Sequence, residues 1–273
     1  MKWRMPRFVP WASPYPLPED TSRTLLAEGQ CENFGLLQDR YLAYSDDRGK
    51  VQLVQEFTDR RALVPDYTPL ADLIDAYRAR WEETATAMGA ATFTARPQWR
   101  VIVGMATNAL LQGGITLHPV HGFPTMPASS LKGICRVYLE RVLDQSADEV
   151  DRLLGRLAEE SWSGDLIFFD GVPAGLPHVE RDIINPIFAD YYANPAVPPA
   201  SYLTPKPIFF LAVGSRSVYR FAVASRSGDR DQAARGAEAL QGALEELGVG
   251  AKTAAGYGNW VIEKPAESGE QAA

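Results

Sequence analysis

One stretch of the chain combines histidines, serines, a lysine and a glycine at a spacing that suits anion binding. It runs from His118 to Gly133 and reads His-Pro-Val-His-Gly-Phe-Pro-Thr-Met-Pro-Ala-Ser-Ser-Leu-Lys-Gly. Ser129 or Ser130 is predicted to cap a helix whose first turn contains Lys132, with Arg136 one turn later. A cation there opposes the helix dipole at a cost of about 0.3–1 kcal/mol. A phosphate bound to the N–H groups and hydroxyls would reverse that cost, although a solvated helix face fits the spacing equally well.

A second stretch, Gly248–Gly258, places four glycines around Lys252, Thr253 and Tyr257, between a predicted helix and a predicted strand. Ala-Lys-Thr at 251–253 looks like part of a nucleotide P-loop. Alanine replaces the required glycine, however, and a helix precedes the loop, so a Walker ATPase is excluded. A dinucleotide fingerprint fails because Thr253 occupies the place of its third glycine. What remains is either a plain turn or a loop of N–H donors that suits phosphates or sugars, with Tyr257 able to stack on a base.

Two histidines of the first stretch, His118 and His121, have the chemistry for acid–base catalysis or zinc binding. Zinc needs at least a third ligand, and the one remaining histidine, His178, lies far along the chain. No cysteine or carboxylate cluster lies near the pair. We therefore predict no metal site, no cofactor and no catalytic residue, and expect loop histidines with structural hydrogen bonds. Serine-hydrolase and zinc-protease motifs are absent as well.

The charge of the chain excludes a uniformly basic nucleic-acid-binding protein. It carries 27 Lys and Arg against 34 Asp and Glu, a net charge of −7. Residues 96–141 nevertheless hold five bases and one acid, whereas residues 142–170 hold eight acids and two bases. Cys31 and Cys135 are too few for a disulfide framework. With no signal peptide or membrane span predicted, the sequence indicates a cytoplasmic protein whose RNA site, if present, is local.

The elements that must position these residues follow a recognisable order from residue 98 onward. Alternation and helical periodicity predict a strand over 99–105, a helix from 129 or 130, strands over 165–170, 207–213 and 217–225, a helix over 231–247, and a strand over 259–263. This order is that of an α+β, ferredoxin-like or RRM-type antiparallel sheet with both helices on one face. We place this domain at 98–264, with an irregular insertion at 171–205 and a polar tail at 265–273.

Residues 1–97 are expected to form an N-terminal arm and a helical extension. Five prolines within 1–22 disfavour regular structure there. Short and long helices are predicted over 33–42 and 69–88. The long helix has an apolar stripe, which we interpret as core or subunit packing, at Leu70, Leu73, Ile74, Tyr77, Trp81 and Met88.

Runs that carry a family resemblance cover most of residues 33–260. They are Asn33-Phe-Gly-Leu-Leu with Asp39-Arg-Tyr, Leu117 to Gly133, Asp182-Ile-Ile-Asn-Pro with Asp190-Tyr-Tyr, Pro205 to Val213, and Gly248 to Gly258. In these runs the chain resembles the RAMP superfamily of CRISPR proteins, and within it the subunits of the Cmr (type III-B) RNA-targeting complex. One departure is Ala128, where the family usually has glycine.

The resemblance implies a non-catalytic subunit that holds the 3′ part of the CRISPR guide RNA, contacts target RNA and neighbouring Cmr/RAMP subunits, and has no membrane partner. The acidic residues Asp148, Glu149 and Asp151 would then face protein or solvent. The expected RNA-binding residues are His121, Ser129, Ser130, Lys132, Gly133, Arg136, Gly250, Lys252, Thr253, Gly256, Tyr257 and Gly258.

Two other functions stay open. A metal-independent RAMP endoribonuclease could use His118 or His121 with Tyr257 for acid–base work on a 2′-hydroxyl. An assembly module could bind neighbours through the helix at 69–88 and the insertion at 171–205.

Overall fold

The computed structural model describes residues 33–39, 44–47, 50–53, 64–105, 115–156, 162–185 and 208–263, with isolated positions between 188 and 198. These belong to two compact units. The smaller is drawn from within residues 1–66, 104–123 and 179–212, and the larger from within 67–103, 124–178 and 213–273. The predicted arm at 1–22, Cys31 and the tail at 265–273 lie outside the described residues.

The larger unit is built on an antiparallel sheet. Its strands are β3 (Ala91–Pro97), β7 (Leu166–Phe168), β11 (Tyr219–Ser225) and β12 (Trp260–Glu263), in the spatial order β12-β3-β11-β7. The register pairs Ala95 with both Tyr219 and Ile262. A short strand, β8 (Val172–Pro173), also pairs with β11. This order is that of a ferredoxin-like sheet, and the predicted fold class is confirmed.

Two helices, α3 (Ala128–Arg141) and α5 (Arg230–Glu246), pack against each other and α5 packs on this sheet. The buried positions Leu131, Cys135 and Leu139 follow helical spacing along α3. Small residues let α5 approach closely: a β-carbon at Gly236 would lie 2.9 Å from Leu166, and one at Gly242 would overlap the Tyr138 ring. Burial raises the pKa of the Cys135 thiol to about 12.

A third helix, α2 (Ala71–Ala87), covers the opposite face of the sheet, as the period-2 alternation of β11 shows. Val223 of β11 lies next to Gly236 of α5, whereas its neighbour Ala222 packs with Trp81 of α2. The predicted helix over 69–88 is thus confirmed, and it is part of the sheet's own core. Of its stripe, Leu73 and Met88 are exposed.

An additional helix, α4 (Ala147–Leu154), follows α3 in the larger unit and was not predicted. It begins with a capping box, because Ser146 accepts a hydrogen bond from the Glu149 amide and the Glu149 side chain accepts one from the Ser146 amide. The Ser-x-x-Glu spacing is visible in the sequence and could have revealed it. A small hairpin, β5 (Gly155–Arg156) and β6 (Trp162–Ser163), follows.

The described part of the smaller unit contains a helix, α1 (Phe34–Asp39), a hairpin of β1 (Tyr44–Asp47) and β2 (Lys50–Leu53), and strand β9 (Val179–Ile184). Strand β10 (Ile208–Gly214) ends in the larger unit, where Val213 and Gly214 pair with the short strand β4 (Arg100–Val101). The prediction of an irregular insertion over 171–205 is wrong where β8 and β9 form. Most of its remainder lies outside the described residues.

The strand predicted over 99–105 is wrong in extent, because the sheet uses Ala91–Pro97 and residues 99–105 contribute only β4. Apolar alternation continued past the true strand and misplaced it. The domain division at 97 and 98 stays a prediction. Since β3 pairs with both β11 and β12, we propose that the sheet domain begins at Tyr67.

Candidate nucleic-acid interface

The N-terminal end of α3 and the glycine loop lie toward the same end of the helix pair, as the contacts of Tyr138 and Leu143 indicate. Tyr138 of α3 lies on Gly242 of α5, and its hydroxyl donates to Glu246 Oε1 at 3.2 Å. Further along α3, Leu143 lines a groove with Arg235 of α5. The two helices are therefore antiparallel. The N-terminal half of α3 therefore lies toward the C-terminal end of α5, and α5 leads directly into Gly248–Gly258.

The α3 N-terminus is not capped by the predicted serines. The helix begins at Ala128 with Pro127 as its N-cap residue, and no side-chain cap bond forms. Instead, the Ala128 amide donates to Asp170 Oδ1 at 2.7 Å. The helix starts ahead of both serines, so Ser129 and Ser130 fall inside its first turn and cannot occupy the cap position. Asp170 places a negative charge at the positive end of the dipole.

Lys132 and Gly133 form an open patch one turn into α3, at its fifth and sixth residues. Lys132 is half-buried and makes no ion pair with any described residue. At Gly133 a β-carbon would meet nothing within 4 Å. Ser129 is exposed, and the described residues offer its amide no hydrogen-bond partner. The Ser129 amide is thus open at the α3 N-terminus, with a cation and an uncovered backbone segment one turn further along, and phosphate binds readily at such a helix end.

Arg136, one turn later, is engaged within the fold. Its guanidinium contacts Asp151 Oδ1 at 2.8 Å and Glu140 Oε1 at 3.1 Å, and it also donates to the Gly155 carbonyl. Partial burial works against the charged form, but the hydrogen bonds to Asp151 and Glu140 outweigh it and raise the pKa of Arg136. The structure gives this arginine a role in fastening α4 to α3.

The glycine loop is held by backbone bonds to the strand region around β4. The Ala251 amide donates to the Ile102 carbonyl at 2.8 Å, and the Gly258 amide donates to the Arg100 carbonyl at 2.8 Å. Gly250 has φ +107°, and a β-carbon there would overlap the Ile102 carbonyl. A β-carbon at Gly258 would likewise overlap the Val249 carbonyl. These glycines are explained by close packing of the loop on its own unit.

Two other positions of the loop are oriented outward. Gly256 has φ +88°, and a β-carbon there would meet open space. Lys252 has left-handed backbone angles, φ 61° and ψ 35°, which cost a non-glycine residue about 1–2 kcal/mol. Its carbonyl accepts bonds from Ala255 and Tyr257. The side chain is exposed and, among the described residues, makes no ion pair. Thr253 begins a 3-10 turn, Thr253–Ala255, directly after it.

Tyr257 is buried, and its ring packs against Trp99 at 4.8 Å between centroids. Trp99 itself is 45% exposed, and the Arg100 guanidinium lies 4.8 Å from its ring centroid. The exposed aromatic group beside the loop is therefore Trp99, with Arg100 as a third cation. Sequence reasoning missed both, because Trp99 fitted the alternation of a buried strand.

His118 and His121 lie in the smaller unit and shape their own loop. The amides of Val120 and His121 donate to His118 Nδ1 at 3.3 and 3.2 Å, which requires an unprotonated Nδ1. The His118 and His121 rings stack at 4.8 Å. In the same unit, Asn33 Nδ2 donates to the Val120 carbonyl at 2.7 Å. The histidines thus have the structural contacts that the sequence favoured.

Among the described residues, no helix has the length and apolar composition that crossing a membrane requires. Nor do these residues bring three or more histidine, cysteine, aspartate or glutamate side chains together as a metal site would need.

Comparison with known proteins points to one family. The family model described as the RAMP superfamily matches residues 100–261. This range includes both stretches that the sequence singled out, His118–Gly133 and Gly248–Gly258. A curated relative, the CRISPR system Cmr subunit Cmr6 of Pyrococcus furiosus, is 25% identical over 253 residues, covering 70% of this chain and 73% of the relative. The Cmr6 subunit of Saccharolobus solfataricus is 25% identical over 169 residues, covering 60% of this chain and 55% of the relative.

Solved structures support the same fold. A chain in the cryo-EM structure of the type III-B Cmr-beta complex bound to cognate target RNA superposes with a TM-score of 0.58 at 21% identity. The match covers 75% of this chain and 68% of that one. At this identity the likeness concerns the fold alone.

Proposed function

Because the chain belongs to the RAMP superfamily, we propose that it is a guide-RNA-binding structural subunit of a type III-B CRISPR RNA-targeting complex. In this role it holds the 3′ part of the CRISPR RNA, contacts target RNA and lies beside other RAMP subunits. It acts by binding and positioning RNA, without catalysing its cleavage. The similarity to Cmr6 subunits supports the assembly.

The observation that carries the RNA-binding part is the pair of lysines at one end of the helix pair. Lys132 and Lys252 come from different elements, and neither is neutralised by a carboxylate within the described chain. Each has a glycine nearby, Gly133 or Gly256, that leaves space for a backbone to approach. Cations beside bare N–H groups recognise phosphate and contribute no base specificity. We therefore expect binding by backbone and shape, with little sequence preference.

Arg136 and Tyr257 contribute to this site indirectly. Arg136 keeps α3 attached to α4 through Asp151, and Tyr257 supports Trp99. In this proposal Trp99 takes the base-stacking role that the sequence predicts for Tyr257, with Arg100 beside it. His121 is assigned to the RNA surface by the family resemblance only.

The test is the double variant Lys132→Ala with Lys252→Ala, measured in the assembled complex. We expect RNA retention to fall about tenfold, and the salt dependence to flatten by about 0.7 per lost contact, the value for single strands. The matched control is Arg141→Ala with Arg230→Ala. It removes two exposed cations from the opposite end of the same two helices, and neither makes an ion pair with a described residue.

Two results would contradict the proposal. One is an RNA content and salt slope that are unchanged in the lysine variant, or equally reduced in the control. The other is cleavage of repeat RNA in the presence of EDTA that disappears in His121→Ala, which would favour the endoribonuclease.

A further inference from the structure

The end of the helix pair opposite the lysines carries a groove that the proposed RNA site does not use. Its volume is about 990 Å³, and it lies between α4 and the N-terminal half of α5. Leu139, Leu143 and Leu166 contribute apolar surface to its lining. The lining positions 229–239 extend along about 16 Å of helix. The groove is therefore long enough for two to three turns of a partner helix.

Acidic side chains dominate the charged lining of this groove. Five carboxylates face two arginines, and they are Glu149, Asp165, Asp229, Asp231 and Glu238. Three of the five serve the fold: Glu149 caps α4, Asp229 caps α5, and Asp165 accepts bonds from Ser225 and Ser227. Asp231 and Glu238 are exposed and make no ion pair or hydrogen bond through their side chains within the described chain.

Large apolar side chains are exposed at the same place. Val142 and Leu143, just beyond the end of α3, are 41% and 47% exposed. A second depression shares Arg152 and Asp165 with the groove and reaches Trp162, which is 45% exposed. An aromatic anchor and an aliphatic pair beside a charged rim are the composition of a protein–protein interface.

We propose that this groove docks a basic amphipathic helix of a neighbouring subunit, with its leucine-type stripe against Leu143 and its lysines or arginines against Asp231 and Glu238. The charge of the groove selects this occupant. An RNA backbone would meet like charge there. A second copy docking through the same groove by twofold symmetry would bring two acidic rims together. A helix forms its backbone hydrogen bonds internally. To bind in a groove it therefore needs only an apolar stripe and charges that match those of the groove.

This inference rests on the proposed function only in that it requires an assembly, and its test uses the complex purified through a tag on this chain. A photo-reactive benzoylphenylalanine replaces Leu143, and the peptides crosslinked to it are sequenced by mass spectrometry. The crosslinking is repeated in Asp231→Lys with Glu238→Lys. The matched control is Asp72→Lys with Glu83→Lys, an exposed first-turn acid and an exposed mid-helix acid of α2.

The expected result is a crosslinked peptide from another subunit, with net positive charge and apolar residues at helical spacing. The charge reversal at Asp231 and Glu238 of α5 should lower the crosslinking yield about tenfold. The charge reversal at Asp72 and Glu83 of α2 should leave the yield unchanged. Crosslinks to RNA, to a second copy or to an acidic or non-helical peptide would overturn the inference. So would no crosslink, or a yield equal in both variants.

The two proposals fail in different ways. If RNA and subunits are retained while the α5 reversal has no effect, only the docking groove is wrong. If the tagged chain retains neither RNA nor RAMP subunits, both proposals are wrong. Circular dichroism of each variant confirms that its helices are intact.

Discussion

The two ends of the α3–α5 pair differ in how their charges are used. At the end with the glycine loop, Lys132 and Lys252 pair with no carboxylate of the described residues, and the backbone at Gly133 and Gly256 is open. At the other end, carboxylates cap helices, bind serines and pair with Arg136. Both ends belong to the same two helices, so their difference lies in the residues placed at the helix ends. A chain with a net charge of −7 can thus present lysines that no described carboxylate pairs, even though Asp170 and Glu246 lie at the same end of the helices.

The strongest way to break this comparison is to reverse the cationic end. Lys132→Glu with Lys252→Glu should reduce RNA affinity about a hundredfold, since each substitution replaces attraction with repulsion. Filter binding with guide RNA at several salt concentrations measures the effect. Retention of neighbouring subunits should persist. If they are lost together with the RNA, the two ends do not act separately.

Arg136 tests whether a cation of α3 stabilises the fold or binds RNA. Arg136→Ala removes the partner of Glu140 and leaves Asp151 with Arg156, 3.8 Å away, and should destabilise the protein by about 1–2 kcal/mol. Urea unfolding measures this loss. The folded variant should bind RNA as the wild type does. A drop in affinity comparable to that of Lys132→Ala would instead make Arg136 an RNA contact.

Asp165 sharpens the comparison at the acidic end. The Ser225 hydroxyl, with further bonds from Ser227, lowers the pKa of this carboxyl. The native state therefore binds fewer protons than the unfolded chain. The stabilisation is present above the unfolded pKa of about 3.9, and is lost as the pH falls through the native value. Asp165→Asn should cost about 1 kcal/mol at pH 7. In urea titrations the difference should shrink as the pH falls below the unfolded pKa of about 3.9, and a gap that does not change with pH would contradict this origin.

Asp170 gives the smallest expected effect, at the cationic end. Its carboxylate binds the first amide of α3 and would repel a phosphate at that helix N-terminus. Asp170→Asn keeps an acceptor oxygen for Ala128 and removes the charge. We expect guide-RNA affinity to rise about twofold to fivefold, a gain within the range of one helix-dipole charge. Weaker binding in this variant would place the phosphate elsewhere.

The glycine loop shows how much of a site can be predicted from residue types. Its position between a helix and a strand, and the outward Lys252, followed from the sequence. Three of its four glycines, however, are explained by tight packing: Gly248 on Gly258, Gly250 on Ile102 and Gly258 on Val249. A glycine needed for packing and one needed for a ligand look alike in sequence, because both lack a side chain for the same steric reason.

The α3 N-terminus shows a related limit. The sequence predicted a helix start near Ser129, and the structure places it at Ala128 with Asp170 supplying the acceptor. Asp170 is distant in sequence and reaches the helix only because β7 precedes it in the folded sheet. The same holds for Arg136, whose partner Asp151 comes from a helix that was not predicted.

The sequence by itself determined the order of the ferredoxin-like elements, the two cationic stretches and their separation from the acidic segment. Those features depend on residue periodicity and charge over short distances along the chain. Tertiary structure alone decided which charges are available. It paired Arg136, buried Tyr257 under Trp99 and opened the acidic groove, because neutralisation and burial depend on contacts between residues far apart in sequence.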